Sequence, residues 1–381
     1  MSIRIVIDTR HIRDLGIGTY IRNLVSALAK LDGENHYTLV SSQADAQELG
    51  KLPSNFEIAI YGRPDSALLD QVAFPLFLRR FRADVCHIPL NAVPLLMPRP
   101  YVVTVHDMSS LLFDEMSARY RRFRLYQFRR GLERAARVVA VSDATRRDVE
   151  DLFGTPAHRI RQIYNAPDPK FLEDGPAADD SVRLRILERY QIQYPYLLYV
   201  GTIRRQKNIP RLVEAFAVLK GELEGHPVYR DLRLIIIGDE ISRHPAVRRT
   251  VIQTRMEQFV RFLGFVDFDT LRTFYSAAAA FVFPSLYEGF GLPPLEAMAS
   301  GTPVVTSNLS SLPEVVGNAA ILVNPENVFE IAKGIREVLT TESLRNELIE
   351  RGRKQSRRFS WASTARQVLE IYREVADSSA Q

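Results

Sequence analysis

The chain is nearly free of cysteine. Cys86 is its single thiol in 381 residues, so no intramolecular disulfide can form and a reducing compartment is expected. Cys86 stands in Asp84-Val85-Cys86-His87-Ile88, an apolar strand-like run, and reads as a small buried hydrophobe. Long hydrophobic runs are missing too: no uninterrupted apolar stretch approaches the ~20 residues that span a bilayer. The first residues run into the strand-like Ile3-Arg4-Ile5-Val6-Ile7-Asp8 without a secretory hydrophobic region, so the expected location is cytoplasmic. Work at a membrane is then expected only as a peripheral contact with its inner face. Neither sign of charge dominates, since 50 Lys and Arg oppose 45 Asp and Glu for a net of +5. That balance permits contact with phosphates or an anionic membrane without demanding it. No basic-aromatic module of a nucleic-acid-binding type is found, so nucleic acid is not an expected partner. No clustered His or Cys shows metal-ligand spacing, and no short-period repeat is evident.

What is present is an alternation. Short apolar β-branched runs, such as Tyr101–Val105, Tyr196–Val200 and Leu232–Ile237, are separated by helical patterns such as Thr19–Ala29, Ile209–Lys220 and Val328–Thr340. Continuous apolar strands between helices imply parallel sheets covered on both faces, the doubly wound α/β pattern. The alternation occurs twice. The break falls at Asn165–Tyr194, which holds Pro167, Pro169, Gly175, Pro176 and the acidic pair Asp179-Asp180. The expected organisation is one Rossmann-like domain over 1–170, a linker over 171–194, a second Rossmann-like domain over 195–360, and a C-terminal helix over 361–381. Ligands of such sheets bind beyond the carboxyl ends of the strands, so the chemistry is expected in a cleft between the domains.

The loops after strands are therefore where the chemistry is expected. The most informative runs from Phe283 through Pro284-Ser285-Leu286-Tyr287-Glu288-Gly289-Phe290-Gly291-Leu292-Pro293-Pro294-Leu295-Glu296. A strand ends at Phe283, and prolines in a first helical turn open a helix near Leu292. Backbone N–H groups and a helix N-terminus then make an anion site. Gly289 and Gly291 allow close backbone approach. The carboxylates Glu288 and Glu296 can accept paired hydrogen bonds from sugar or ribose hydroxyls. After the strand at Tyr196, Gly201-Thr202-Ile203-Arg204-Arg205-Gln206-Lys207 supplies cations for a diphosphate. Gly16-Ile17-Gly18 opens a helix after the first strand, near Asp8-Thr9-Arg10. Val103-Thr104-Val105-His106-Asp107 places His106 at a strand end. Ser142 reads as a helix N-cap, and so does Asp267 in Asp267-Phe268-Asp269, despite its Asp-x-Asp form. The helix Arg119-Tyr120-Arg121-Arg122-Phe123-Arg124 through Arg134 is basic and aromatic. It suits a solvated face, an anionic membrane or a lipid-linked pyrophosphate.

The Glu288–Glu296 segment resembles the Glu-x7-Glu motif of retaining glycosyltransferases of family 4, which have the GT-B fold. The resemblance continues through Ser300-Gly301-Thr302-Pro303 and Ser310-Ser311-Leu312-Pro313-Glu314, and precedes the motif at Phe262-Leu263-Gly264-Phe265-Val266. It implies that Glu296 binds the nucleotide ribose and Glu288 contacts the donor sugar. It implies that the amides of Gly289, Phe290, Gly291 and Leu292 hold sugar and diphosphate, and that the backbone around Val266 meets the base. Lys207 matches the family's diphosphate lysine, six residues after Gly201. The family's accompanying arginine is replaced by Thr202 or Gln206, leaving Arg205 or Arg204 to serve. Gly16, with Gly18, matches the loop that faces the donor phosphates. His106 matches the histidine that approaches the donor sugar. The implied reaction moves a hexose from a nucleoside diphosphate sugar to a hydroxyl of a glycan or lipid-linked acceptor, with retention, without metal or other cofactor. Asp8-Thr9-Arg10 followed by Gly16 and Gly18 looks like bacterial mannosyltransferases of polysaccharide assembly, which favours GDP-mannose over UDP-glucose. The rivals are a sugar-nucleotide 2-epimerase of the same fold and a non-catalytic nucleotide-sugar or membrane-lipid binding module.

Overall fold

The computed structural model describes residues 2–63, 69–90, 93–173 and 180–380. The chain forms two compact units: Met1–Asn165 with Ser360–Gln381, and Ala166–Phe359.

The first unit holds a seven-stranded sheet in the order β3-β2-β1-β4-β5-β6-β7. Its strands are β1 (Arg4–Asp8), β2 (His36–Ser41), β3 (Phe56–Ile60), β4 (Val85–Ile88), β5 (Tyr101–Val105), β6 (Arg137–Ala140) and β7 (Ile160–Gln162). Every pairing is parallel. The central strands β4 and β5 are buried along their whole length, as continuous apolar runs covered on both faces should be. Right-handed crossovers dictate where the helices go. The connection β1 to β2 runs one way along the sheet, and the connections β3 to β4 and β5 to β6 run the other. Helix Ile17–Leu31 therefore covers one face. Helices Asp70–Arg79 and Ala118–Arg134 share the opposite one.

The second unit holds a six-stranded parallel sheet in the order β10-β9-β8-β11-β12-β13. These are β8 (Tyr196–Gly201), β9 (Arg233–Gly238), β10 (Val260–Gly264), β11 (Ala280–Phe283), β12 (Val304–Ser307) and β13 (Ala320–Val323). The strand order reverses between β8 and β11. That reversal is the topological switch point, where loops diverge and leave room for a ligand.

The boundary corrects the sequence reading. The first unit ends at Asn165, five residues before the expected boundary, and the described residues 171–173 and 180–194 pack within the second unit. Phe171 is buried, its ring 4.9 Å from that of Phe268 and 5.6 Å from that of Tyr275. Arg272 donates to the Glu173 carbonyl at 2.7 Å, and Arg261 donates to the Tyr194 hydroxyl at 2.6 Å. Helix Asp180–Arg189 belongs to the same unit. These anchors outweigh the turn-rich composition that suggested a linker. Gly175, Pro176 and Asp179 lie outside the described residues.

The C-terminal helix Trp361–Ala380 packs on helix Ile17–Leu31. It is pinned through a buried polar chain. The Tyr372 hydroxyl meets His87 Nδ1 at 2.6 Å, and His87 Nε2 meets the Thr104 hydroxyl at 2.7 Å. The Thr104 hydroxyl lies 3.1 Å from that of Tyr20. Burial, helped by nearby His106, lowers the His87 pKa to about 3, so this imidazole stays neutral.

Candidate functional site

The loops after β8 and β11 are stitched together. Asn208, in the left-handed region at φ 60°, donates from Nδ2 to the carbonyls of Pro284 at 3.1 Å and Pro325 at 2.7 Å. The Leu286 amide donates to the Gln206 carbonyl at 2.7 Å. Gly201 and Gly238 end β8 and β9 at φ 148° and 146°. A Cβ on Gly238 would collide with the Gly201 carbonyl, so the two strand ends touch backbone to backbone.

This stitching brings Lys207 to Glu288. The ammonium lies 2.6 Å from Glu288 Oε1, with side-chain exposures of 17% and 10%. The lysine also stands 5.3 Å from the centre of the Phe283 ring. A sheltered pair of this kind is stronger than a surface ion pair, because little water screens it. Beyond Glu288, the loop is held from below. Ser310 donates to the Glu288 carbonyl at 2.6 Å, and Ser311 donates to the Phe290 carbonyl at 2.8 Å. Gly291 has φ 108°, and a Cβ there would crowd the Leu312 side chain. The chain then enters helix Leu292–Ala299 with Pro293 and Pro294 in the first turn. The first amides of that helix lack intrahelical acceptors and carry its positive dipole end.

Glu296 is half-buried within this helix and accepts from the Tyr275 hydroxyl at 2.9 Å. Burial raises its pKa to about 7, against the opposing pull of the Tyr275 hydrogen bond, with Asp168 adding a smaller upward push. The unfolded value is about 4.3. The folded chain thus holds this proton more tightly than the unfolded one. The associated stability is complete below about pH 4.3 and is lost as pH rises through about 7. Glu296→Gln is therefore expected to raise the melting temperature of the nucleotide-free protein by a few °C at pH 8, and much less at pH 5. Melting curves at the two pH values check this; an equal shift at both would refute the burial argument.

Other candidate residues fall around this centre. Gly289 and Phe290 are buried, and the Phe290 ring meets Phe359 edge-on at 5.7 Å. Arg204 and Arg205 are exposed and form no ion pair among the described residues. Val266 is half-buried, just past the register shift that ends β10. Asp267 acts as a cap, accepting from the Thr270 amide at 2.9 Å and the Thr270 hydroxyl at 2.7 Å. Sequence reasoning missed Tyr275, Asn208, Gly238 and Asp239, whose carboxylate accepts from the Ile203 amide at 2.8 Å.

In the first unit, His106 follows β5. The Tyr20 ring meets it edge-on at 4.9 Å, and Trp361 meets Tyr20 at 5.8 Å. Burial lowers the His106 pKa to about 4, although Asp107 and a bond to the Pro89 backbone push it upward. Neutral imidazole is the form present at pH 7, which suits a hydrogen-bonding contact better than a proton store. Gly16 has φ 73° with open space where a side chain would be. At Gly18, a Cβ would collide with the Ile12 carbonyl, so that glycine serves the turn's own packing. Arg10 is buried between Asp8 at 2.8 Å and Asp70 at 3.1 Å. Ser142 caps its helix, accepting from the Thr145 amide at 2.9 Å.

Comparison with known proteins places this geometry. Residues 186–355 match the family model described as "Glycosyl transferases group 1", and residues 16–171 match "Glycosyltransferase Family 4". The O-antigen chain mannosyltransferase B of Escherichia coli is 34% identical over 300 residues, 78% of this chain and 76% of its own length. The serotype-specific mannosyltransferase WbdA of Escherichia coli is 31% identical over 74% of this chain, which corresponds to 34% of that longer protein. Among solved structures, the sucrose-phosphate synthase of Thermosynechococcus elongatus superposes with a TM-score of 0.78, at 21% identity, covering 98% of this chain and 99% of that one. Anabaena Alr3699/HepE, solved in complex with UDP-glucose, gives a TM-score of 0.75 at 18% identity over 98% and 100% of the two chains. The two parallel sheets, the loops after β8 and β11, and these similarities together establish that the chain belongs to the group 1, family 4 glycosyltransferases and has the GT-B fold.

Proposed function

We propose that this glycosyltransferase moves a mannosyl group from GDP-mannose to a hydroxyl of a glycan or lipid-linked glycan, with retention at the anomeric carbon and without a metal ion. The supporting observation is the sheltered Lys207–Glu288 pair beside the N-terminus of helix Leu292–Ala299. In the reaction the bond from C1 of the sugar to the diphosphate breaks and a bond from C1 to the acceptor oxygen forms. The acceptor proton leaves on the departing diphosphate. The diphosphate gains charge as it departs, and Lys207 with the amides of Gly289 through Leu292 would meet that charge. Glu288, now paired with Lys207, would accept from donor-sugar hydroxyls once a diphosphate engages the lysine. Glu296 would accept from the ribose diol. Val266 stays assigned to the base, and His106 and Gly16 to the donor, on the family resemblance. Mannose is supported by the mannosyltransferases among the relatives.

A thermal-shift screen of GDP, UDP, ADP and dTDP tests the donor. GDP is expected to raise the melting temperature most, because a ligand that binds only the folded state stabilises by mass action. A larger shift with UDP would replace the donor assignment. Transfer is expected to survive excess EDTA, with Asp267 already engaged as a cap. Loss of transfer on chelation would overturn metal independence. Release of free 2-epimeric sugar without acceptor would favour the epimerase.

A further inference from the structure

We propose that Glu288 distinguishes the sugar nucleotide from the spent nucleoside diphosphate, holding the first and helping to expel the second by charge. The inference rests on the donor-site reading above and extends it to the step after transfer.

The carboxylate stands close to its lysine and is sheltered from water. Lys207 Nζ lies 2.6 Å from Glu288 Oε1, the glutamate side chain is 10% exposed, and no other cation pairs with it among the described residues. Neither group can retreat far. The Glu288 amide donates to Ser310 Oγ at 3.2 Å, and the Glu288 carbonyl accepts from Ser310 at 2.6 Å and from Ser311 at 3.0 Å. The ammonium stands 5.3 Å from the centre of the Phe283 ring, which stacks at 5.6 Å on buried Tyr199. The loops do not need the ion pair to hold their shape, because Leu286 is bonded to Gln206 and Asn208 to Pro284 independently of it.

A diphosphate that engages Lys207 comes to lie beside this carboxylate, and what sits at its far end decides the balance. A sugar nucleotide presents sugar hydroxyls, which donate to Glu288 and answer its charge. A spent diphosphate presents a bare terminal phosphate. That phosphate takes the acceptor proton as it departs and then loses it to water, since its second ionisation lies near about pH 6. It therefore carries one more negative charge at pH 7 than the donor's diphosphate does. Two anions then compete for one lysine where little water screens them. The lysine returns to Glu288 and the nucleotide leaves. The glutamate thus selects between ligands by repelling one as well as by attracting the other.

Calorimetric titration of the full chain with GDP and with GDP-mannose tests this, with UDP and UDP-glucose as a second pair. Glu288→Gln keeps the shape of the side chain and removes its charge. It is expected to bind the bare diphosphate at least about tenfold tighter than the wild type does, because a like-charge contact is gone. It should bind the sugar nucleotide no tighter. Glu288→Ala, which also removes the charge, should shift the ratio of the two affinities in the same direction. Glu288→Asp keeps the charge and should keep the wild-type ratio. Lys207 is the more exposed partner, 17% against 10%, and can turn toward water, so the variants should fold; melting curves check that. An unchanged affinity ratio in the two neutral variants, or the same change in Glu288→Asp, would overturn the proposal and leave the donor reading standing. If the wild type bound neither nucleotide pair, the donor reading would fail and this proposal with it.

Discussion

Lys207→Ala is expected to lower kcat by roughly 100-fold or more, with KM for the donor changing less. An oriented charge that meets a developing anion is typically worth that much, and the 100-fold corresponds to about 2.7 kcal/mol. The split between kcat and KM follows because the diphosphate carries more charge as it leaves than in the bound donor. A contact that strengthens only then acts on kcat. The variant also strands Glu288 in a site where that carboxylate is only 10% exposed. Some loss of stability is therefore expected beside the loss of rate. Lys207→Arg separates the two effects. It restores a cation to Glu288, and the melting temperature with it. Its longer planar head cannot place the charge at the same point, so most of the rate deficit should remain. Wild-type kcat in Lys207→Ala would remove this residue from the mechanism.

Gly238→Ala should be the most damaging methyl group in the second unit. Two penalties act together. The backbone φ of 146° is one that side chains rarely adopt, and the added carbon would collide with the rigid carbonyl of Gly201. Neither strand end can yield without disturbing the register of β8 against β9. A cost on the order of 3 kcal/mol is expected. For a unit of this size that means a fall of about 6–12 °C in melting temperature. Gly16→Ala is the comparison. Its φ of 73° is also positive, but nothing stands where the new carbon would go. Only the conformational penalty applies, about 1 kcal/mol. Equal losses in the two variants would show that the Gly201–Gly238 contact is not what limits substitution.

The doubly wound fold was legible because its central strands are buried on both faces and so read as unbroken apolar runs. The strands that escaped notice lie at edges. β3 exposes Glu57, Ile58 and Ile60, and β7 is three residues long with Arg161 exposed, so neither carries that signal. Helix Asp70–Arg79 was hidden by Pro75 in its interior. In the site, the Glu288-to-Glu296 loop and Lys207 were visible because a strand, glycines, prolines and charges stand close together in sequence. Their supports were not. Asn208 reaches Pro325 across 117 positions, Ile203 meets Asp239 across 36, and Tyr275 meets Glu296 across 21. Such partners are chosen by the fold, and nothing local marks them. Glycines show the same divide. Gly18 stood in a motif that suggested ligand contact, and its demand comes from Ile12 in the same turn.

The first unit borrows its last helix from the far end of the chain. A polypeptide leaving the ribosome N-terminus first has made all of Ala166–Phe359 before Trp361 and Tyr372 exist. Until then Tyr20 lacks the indole that packs against it, and His87 lacks the hydroxyl at its Nδ1. The half of the molecule translated earliest is thus finished last, and loss of the helix that starts at Trp361 by premature termination or proteolysis would strike the beginning of the chain and spare its middle.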